Sequence, residues 1–294
     1  MKDVKALSID KHFLKRVEES NLPIITIHSV FSRTINLSIE NQLYTIESNQ
    51  LDNAPATMRI DICHFEDYQL QPNDRITVNN FNMNVANLLM IDLKTAIPWE
   101  SKLPSYPQGA TPLTENLAFA KAWIIAQGKA EWLRETNQHQ TPFYQEMGRM
   151  LRERTTNLMN GFISADVTTN VERAMSLVGL GQGLTPSGDD FLVGVLLALA
   201  ARNQHALPHN EWAEQVVRKA KEKTNVISYS ALKYAEMGET RESINLLLQS
   251  LFAGNQEQMK RQLGEVMKIG SSSGTEITWG IINGLLLFEK IGGL

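Results

Sequence analysis

Two stretches of the sequence share one pattern: residues 187–199 read SGDDFLVGVLLAL, and residues 273–285 read SGTEITWGIINGL. Both follow the order Ser-Gly-x-acid-x-x-x-Gly and continue with two aliphatic residues, and each comes after a loop rich in Gly, Ser and Thr. A hydroxyl residue followed three positions later by an acid is typical of a helix start. The repeat therefore predicts two related apolar helices that begin in similar polar loops.

The glycines in and before these helices predict close approaches of the backbone. Gly194 and Gly280 stand at matching positions and would let the two helices cross closely. Gly181, Gly183 and Gly188 precede or open the first helix, where glycine lets N–H groups face outward and lets a ligand approach the chain. A helix N-terminus carries partial positive charge and unpaired N–H donors, so two such starts could share a pocket for a small anion.

Specific residues follow from this hypothesis. We expect the backbone N–H groups around Gly183, Gly188 and Gly274 to hold a phosphate or a carboxylate. The hydroxyls of Thr185 and Ser187 would add hydrogen-bond donors to the same anion. No Gly-Lys-Ser/Thr sequence follows the loop and no strand precedes it, so neither a Walker loop nor a dinucleotide fingerprint fits.

The acids at the helix starts have two interpretations. Asp190 and Glu276 would complete capping boxes with Ser187 and Ser273, and a purely structural role fits these acids as well as a ligand-binding one. Asp189, one position from a capping acid, is expected to point elsewhere and to be free to orient a substrate amide.

Further polar residues extend the predicted site. Thr224 and Asn225, followed by Ser228, have two interpretations. They form a helix cap with its turn, or they form a third polar side of the pocket, where Asn225 would bind a substrate carbonyl. His28 lies on a predicted strand with Arg33 nearby. A lone strand histidine is more often structural, but Arg33 would bind a carboxylate bidentately.

The rest of the chain divides into a β-rich part and a helical part. Residues 20–97 contain alternating β-branched segments separated by turn clusters, which is typical of a small barrel or sandwich. Residues 98–111 contain three prolines and are typical of a linker. Helical periodicity follows, with helices predicted at 112–128, 142–160, 167–178, 188–203, 210–222, 226–237, 241–252, 255–268 and 274–290.

The predicted fold class is therefore α+β. A β-barrel-like or sandwich domain with its linker occupies residues 1–110, and a mainly α-helical domain that carries the Gly-rich motifs occupies residues 111–294. Trp279, inside the second repeat, is expected in the helical core.

Composition excludes several classes of protein. The formal net charge of -4 argues against nonspecific electrostatic binding of nucleic acid. The longest uncharged apolar run, residues 191–201, is far shorter than the ~20 residues that span a bilayer. The first residues carry charges throughout, unlike a signal peptide, so we expect a cytoplasmic protein. The histidines and the single cysteine show no metal-ligand spacing, and no metal or other cofactor is expected.

The motif GLGQGLTPSGDDFLVG at 179–194 is unusual and resembles the AllH-type subunit family of bacterial oxamate carbamoyltransferase. The supporting matches cover most of the chain: 28–31 with Arg33, Asn36 and Leu37, then 53–55, 224–228 and 272–274. Glu276 departs from the resemblance because the family pattern leads us to expect Asp there.

The resemblance implies a transferase subunit in anaerobic allantoin and purine degradation. The enzyme would interconvert oxalurate plus phosphate with oxamate plus carbamoyl phosphate, and this chain would act in a hetero-oligomer with two different partner subunits. All four substrates are small anions, in agreement with the helix-start hypothesis. The alternatives are a non-catalytic scaffold or a regulatory small-anion-binding subunit, an unrelated activity, or a nucleotide-binding regulator.

Overall fold

The computed structural model describes residues 1–19, 24–107, 112–134, 141–202 and 207–291. The chain divides into two compact units, Met1–Ser101 and Lys102–Leu294. The first is built of strands and the second of helices, so the predicted α+β class is confirmed.

The first unit is a barrel of eight strands with one extra strand. Its strands are β1 (Lys2–Asp10), β2 (Ile25–Val30), β3 (Thr34–Ile39), β4 (Gln42–Ser48), β5 (Thr57–Ile60), β6 (Arg75–Asn79), β7 (Asn82–Val85), β8 (Leu89–Asp92) and β9 (Ile97–Trp99). They pair in the order β5-β4-β3-β2-β6-β7-β8-β1-β9. An antiparallel pairing of β1 with β5 closes the barrel, and β9 adds to the end of β1 in parallel. Closure pairs the strand edges that would otherwise be exposed.

The N-terminal elements were missed by the sequence analysis. β1 and the short helix α1 (Lys11–Val17) precede residue 20, where the β-rich region was predicted to begin. β1 alternates at its start, where Val4 is buried between exposed Asp3 and Lys5 and is followed by buried Ala6, so its signal was readable. Asp10 ends the strand and caps α1, because its carboxylate accepts from the N–H of His12.

The segment predicted as a linker, residues 98–111, includes residues that are ordered by contacts within each unit. Pro98 lies in β9, where it pairs with β1. The N–H of Tyr106 donates to the carbonyl of Ala201 at 3.2 Å, which attaches this segment to the helical unit. The remainder, residues 108–111, lies outside the described part, as does the predicted cap Thr111.

The second unit consists of helices, each of which overlaps a predicted one. They are α2 (Leu113–Gln127), α3 (Pro142–Ser164), α4 (Val167–Met175), α5 (Ser187–Arg202), α6 (Leu207–Ala220), α7 (Val226–Glu236), α8 (Glu242–Ala253), α9 (Gln256–Val266) and α10 (Ser273–Ile291). A short 3-10 turn, Glu131–Leu133, precedes α3.

α5 is the central helix of the second unit. It is buried along nearly its whole length and packs against α10 and α7. A helix enclosed on all sides needs apolar residues all round, which explains why this run is so uniformly apolar. Among the described helices, none combines the length and apolar character needed to cross a membrane.

Candidate functional site at the starts of α5 and α10

The helices α5 and α10 cross at two glycines. A Cβ atom added to Gly194 would lie 2.0 Å from the carbonyl oxygen of Ile277, and one added to Gly280 would lie 2.1 Å from that of Phe191. No side chain fits in these spaces, so the crossing requires glycine on both helices. The predicted close crossing at Gly194 and Gly280 is confirmed.

The two helix starts are in direct contact. Thr185, in the Gly-rich loop before α5, places its Oγ1 2.9 Å from the Oγ of Ser273, the first residue of α10. Two helix N-termini therefore lie side by side, each with a partial positive charge. We call the region formed by residues 181–187 and Ser273 the helix-mouth site.

Both helices begin one residue earlier than the capping-box interpretation requires. The N–H of Asp190 donates to the carbonyl of Pro186 at 3.1 Å, and in α10 the corresponding carbonyl belongs to Ser272. Ser187 and Ser273 are thus the first helical residues, and the interpretation of them as N-caps is wrong. Their position within the first turn leaves both hydroxyls available to other groups.

Gly188 and Gly274 are needed for packing. A Cβ atom on Gly188 would lie 2.1 Å from the carbonyl oxygen of Leu177, and one on Gly274 would lie 1.9 Å from that of Val266. Their N–H groups donate to carbonyls of the preceding segments, at 2.8 and 3.1 Å. Because both N–H groups already donate to protein carbonyls, the expectation that they would hold an anion is wrong.

Other donors remain available in the helix-mouth site. The N–H groups of Gly183, Thr185, Ser187 and Ser273 make no hydrogen bond to any residue in the described ranges. Gly183 has a φ of +94° and nothing within 4 Å of an added Cβ, so the loop is open at this point. Unpaired backbone donors in an accessible Gly-rich loop are what binding of a small anion requires.

Asp189 is a buried carboxylate that accepts hydrogen bonds from two protein donors. It is 1% exposed, and its two oxygens accept from the N–H of Gly179 at 2.8 Å and from the hydroxyl of Thr224 at 2.5 Å. Burial raises the pKa of Asp189, and these two hydrogen bonds lower it. Asp189 was expected to be free to orient a substrate amide, but both of its oxygens accept from protein donors, which join the α4–α5 loop to the α6–α7 loop.

Asp190 and Glu276 form a buried acidic pair behind the helix-mouth site. They are 3% and 1% exposed, and Asp190 Oδ2 has no hydrogen-bond partner among the described residues. Burial, followed by repulsion from Glu276, raises the pKa of Asp190 well above its ordinary value of 3.8. Hydrogen bonding from the hydroxyls of Ser273 and Thr185 lowers the pKa of this carboxyl and so partly offsets the rise.

Trp132 was missed by the sequence analysis. Its indole N–H donates to Oε1 of Glu276 at 2.8 Å across 144 positions of the chain. A tryptophan in a 3-10 turn carries no periodic or spacing signal that would link it to α10, so only the fold could reveal the contact.

Asn225 joins α7 to the Gly-rich loop. Its Oδ1 accepts from the N–H groups of Ile227 and Ser228, and its Nδ2 donates to the carbonyl of Leu184 at 2.8 Å. The helix-cap interpretation is confirmed, and the start of α7 is a neighbour of the helix-mouth site. A bond from Asn225 to a substrate carbonyl stays a prediction. The hydroxyl of Ser228 is buried without a good hydrogen bond and lowers the pKa of Asp189.

His28 and Arg33 belong to the first unit, whereas the helix-mouth site is built from the second. His28 Nδ1 lies 3.1 Å from the hydroxyl of Ser29, and the side chains of both His28 and Arg33 are exposed. Their contact with a substrate stays a prediction.

Comparisons with known families cover both units. A family model described as oxamate carbamoyltransferase subunit AllH matches residues 177–285, and a model described as the AllH family N-terminal domain matches residues 5–98. The first match includes the Gly-rich loop, α5 and most of α10. No solved structure matches the chain.

Proposed function

The chain belongs to the AllH family, and from this premise we propose that it is a subunit of a cytoplasmic carbamoyltransferase that binds a small anionic substrate at the helix-mouth site. The proposed reaction interconverts oxalurate plus phosphate with oxamate plus carbamoyl phosphate, in allantoin degradation. A phosphate oxygen attacks the ureido carbon of oxalurate, the bond from that carbon to the oxamate nitrogen breaks, and this nitrogen takes up a proton. Such a reaction needs two anions held in line and charge stabilised at the carbonyl oxygen.

The observation that carries the proposal is the contact between Thr185 and Ser273 at 2.9 Å. It brings together two helix starts with the unpaired N–H groups of Ser187 and Ser273, so an anion could be bound by both helices at once. The open loop at Gly183 supplies a path of access.

The acidic pair supports the same site rather than opposing it. A raised pKa keeps Asp190 protonated over a wider pH range, which limits the negative charge next to the anion. A protonated Asp190 can donate to one of the two paired hydroxyls, Thr185 or Ser273. That hydroxyl then donates to the other one, whose proton is left to point toward a phosphate. In this proposal Asp190 is a positioning residue, and the hydroxyls contact the substrate.

The helix-mouth residues described above include no arginine or lysine side chain. Transfer of a carbamoyl group between anions needs cationic groups, so we propose that two different partner subunits supply them. The test is co-expression with such partners and an assay of carbamoyl transfer. Full activity of an assembled enzyme that carries Thr185→Val, Ser187→Ala and Ser273→Ala would instead favour the alternative of a non-catalytic scaffold or regulatory subunit.

Removing the paired hydroxyls is expected to weaken phosphate binding. In Thr185→Val with Ser273→Ala we expect calorimetry to show a loss of at least about tenfold in affinity, since one lost hydrogen bond to a charged ligand costs about 1.5–3 kcal/mol. Ser164→Ala, at the far end of α3, is the control and should bind as the native chain does. Gly188→Val is unsuitable because its side chain would collide with the carbonyl of Leu177. Equal affinity in the double variant and the native chain would contradict the site.

Asp190→Asn is expected to change the pH dependence of stability. Because the folded state holds the Asp190 proton above pH 3.8 while the unfolded state loses it, the free energy of unfolding falls as pH rises toward the raised pKa. The neutral amide removes this fall, so the variant should be more stable at neutral pH by about 1 kcal/mol.

Urea unfolding of both proteins from pH 4.5 to 8 measures this difference. Asp189 and Glu236 also have raised pKa values and contribute the same sign of slope in both proteins. The difference between the two curves therefore reports on Asp190 together with its repulsion from Glu276 and Asp189. Parallel curves would show that its carboxyl has an ordinary pKa.

A further inference from the structure

A second concave surface lies between α3 and α10, apart from the helix-mouth donors. It is a cleft of about 640 Å³, lined by Arg149, Arg152, Asn157 and Asn160 of α3 and by residues of α10. Its volume lies within the range of small-molecule sites. From its lining we infer that this cleft binds a small planar carboxylate that carries an amide group.

Within the described part of the chain, one of the two arginines, Arg152, has guanidinium nitrogens free for a carboxylate. Arg152 Nη1 donates to the carbonyl of Trp132 at 2.6 Å, which holds the guanidinium at the cleft wall. Apart from Nη1, its guanidinium nitrogens make no hydrogen bond to any residue in the described ranges. Arg149 uses its Nε, Nη1 and Nη2 in exposed ion pairs with Glu146 and with Glu153, which also lines the cleft. Such exposed pairs are weak enough to rearrange when a ligand binds. A guanidinium with a free edge binds a carboxylate through two parallel hydrogen bonds.

Side-chain amides supply recognition of the amide group. Those of Asn157 and Asn160 are exposed and have no hydrogen bond within the described residues. Asn283 donates its Nδ2 to the carbonyl of Trp279 at 2.8 Å, which leaves its Oδ1 as an acceptor. Asparagine offers both donors and acceptors, and an amide needs both, whereas a simple dicarboxylate only accepts.

An aromatic side chain adds a flat surface. Trp279 was expected in the core, but it is half-buried and lines the cleft beside Asn283. The ammonium of Lys121 lies 5.8 Å from the centroid of its ring and adds positive charge nearby. A planar conjugated anion fits an indole edge or face better than a tetrahedral one.

One hydrogen bond relates the wall of the cleft to the first turn of α10. Trp132 lines the cleft and donates to Glu276, which stands in the first turn of α10. This inference deepens the proposed function and rests on it for the choice of probe, because oxamate is a planar carboxylate with an amide group.

The test is titration of the full chain with oxamate, followed by calorimetry and by the intrinsic tryptophan fluorescence, to which the cleft residues Trp132 and Trp279 contribute. We expect oxalate, which lacks the amide, to bind at least about fivefold more weakly. Asn160→Leu with Arg149→Gln should weaken oxamate binding by about tenfold or more. Both positions are exposed, so the thermal midpoint should change little.

Lys260→Gln, an exposed cation on α9, is the matched control and should bind oxamate as the native chain does. The inference is overturned if oxamate does not bind, if the cleft variant binds it unchanged, or if Ser187→Ala abolishes its binding while the cleft variant does not. Phosphate binding in the Thr185 and Ser273 double variant is measured separately. The proposed function can therefore stand when the cleft inference fails, and the reverse also holds.

Discussion

Gly194→Ala is expected to destabilise the helical unit severely, by about 3 kcal/mol or more in the free energy of unfolding. The added methyl group would lie 2.0 Å from the carbonyl oxygen of Ile277, 2.7 Å from the nitrogen of Ile281 and 2.8 Å from the Cα of Gly280. All three atoms belong to backbone, so no side chain can rotate away and α10 must move as a whole. Because α10 carries Ser273, the same shift would separate Thr185 from Ser273. Urea unfolding measures the loss of stability, and calorimetry with phosphate measures the loss of binding.

Gly264→Ala is the matched control. Gly264 also lies within a helix, α9, but an added Cβ meets nothing within 4 Å. Alanine has the higher helix propensity, so this variant should be more stable than the native chain by about 0.5–1 kcal/mol. Opposite signs for these two Gly→Ala changes are the expected result. A native-like stability of Gly194→Ala would mean that the helices do not cross at this residue.

Asp189→Ala is expected to lower the free energy of unfolding by about 2–4 kcal/mol. Removing the buried carboxylate leaves the N–H of Gly179 and the hydroxyl of Thr224 without their acceptor. It also releases the α4–α5 loop from the α6–α7 loop, so the Gly-rich loop should lose order and phosphate affinity together. Thermal or urea unfolding measures the first effect, and calorimetry measures the second.

Asp189→Asn separates this structural role from a catalytic one. Its amide oxygen can still accept from Gly179, and its nitrogen can donate to the oxygen of Thr224, so stability should fall by less than about 1 kcal/mol. If Asp189 acts only through structure, an assembled enzyme with Asp189→Asn should keep most of its activity. An inactive but stable Asp189→Asn enzyme would instead support the predicted role of Asp189 in orienting the substrate amide.

The elements predicted from the sequence were those with strong local signals. The helices of the second unit follow from periodicity and from caps, as at Asn225, and the repeated glycines correctly indicated that α5 and α10 cross. β1 has such a signal too, but its charged residues concealed it. The one-residue error at the starts of α5 and α10 arose because the N–H groups of Asp190 and Glu276 donate to the carbonyls of Pro186 and Ser272, so each helix begins at the serine itself.

What the sequence determined by itself is the α+β class, the positions of the helices and the paired polar starts of α5 and α10. These properties depend on neighbouring residues, whose spacing decides which side chains share a face or cap a turn. Only the tertiary structure decided the partners of Asp189, the pairing of Asp190 with Glu276, the bond from Trp132 and the cleft along α3. Each of these joins residues from different helices or loops, so which groups meet, and which are buried together, depends on how those elements pack.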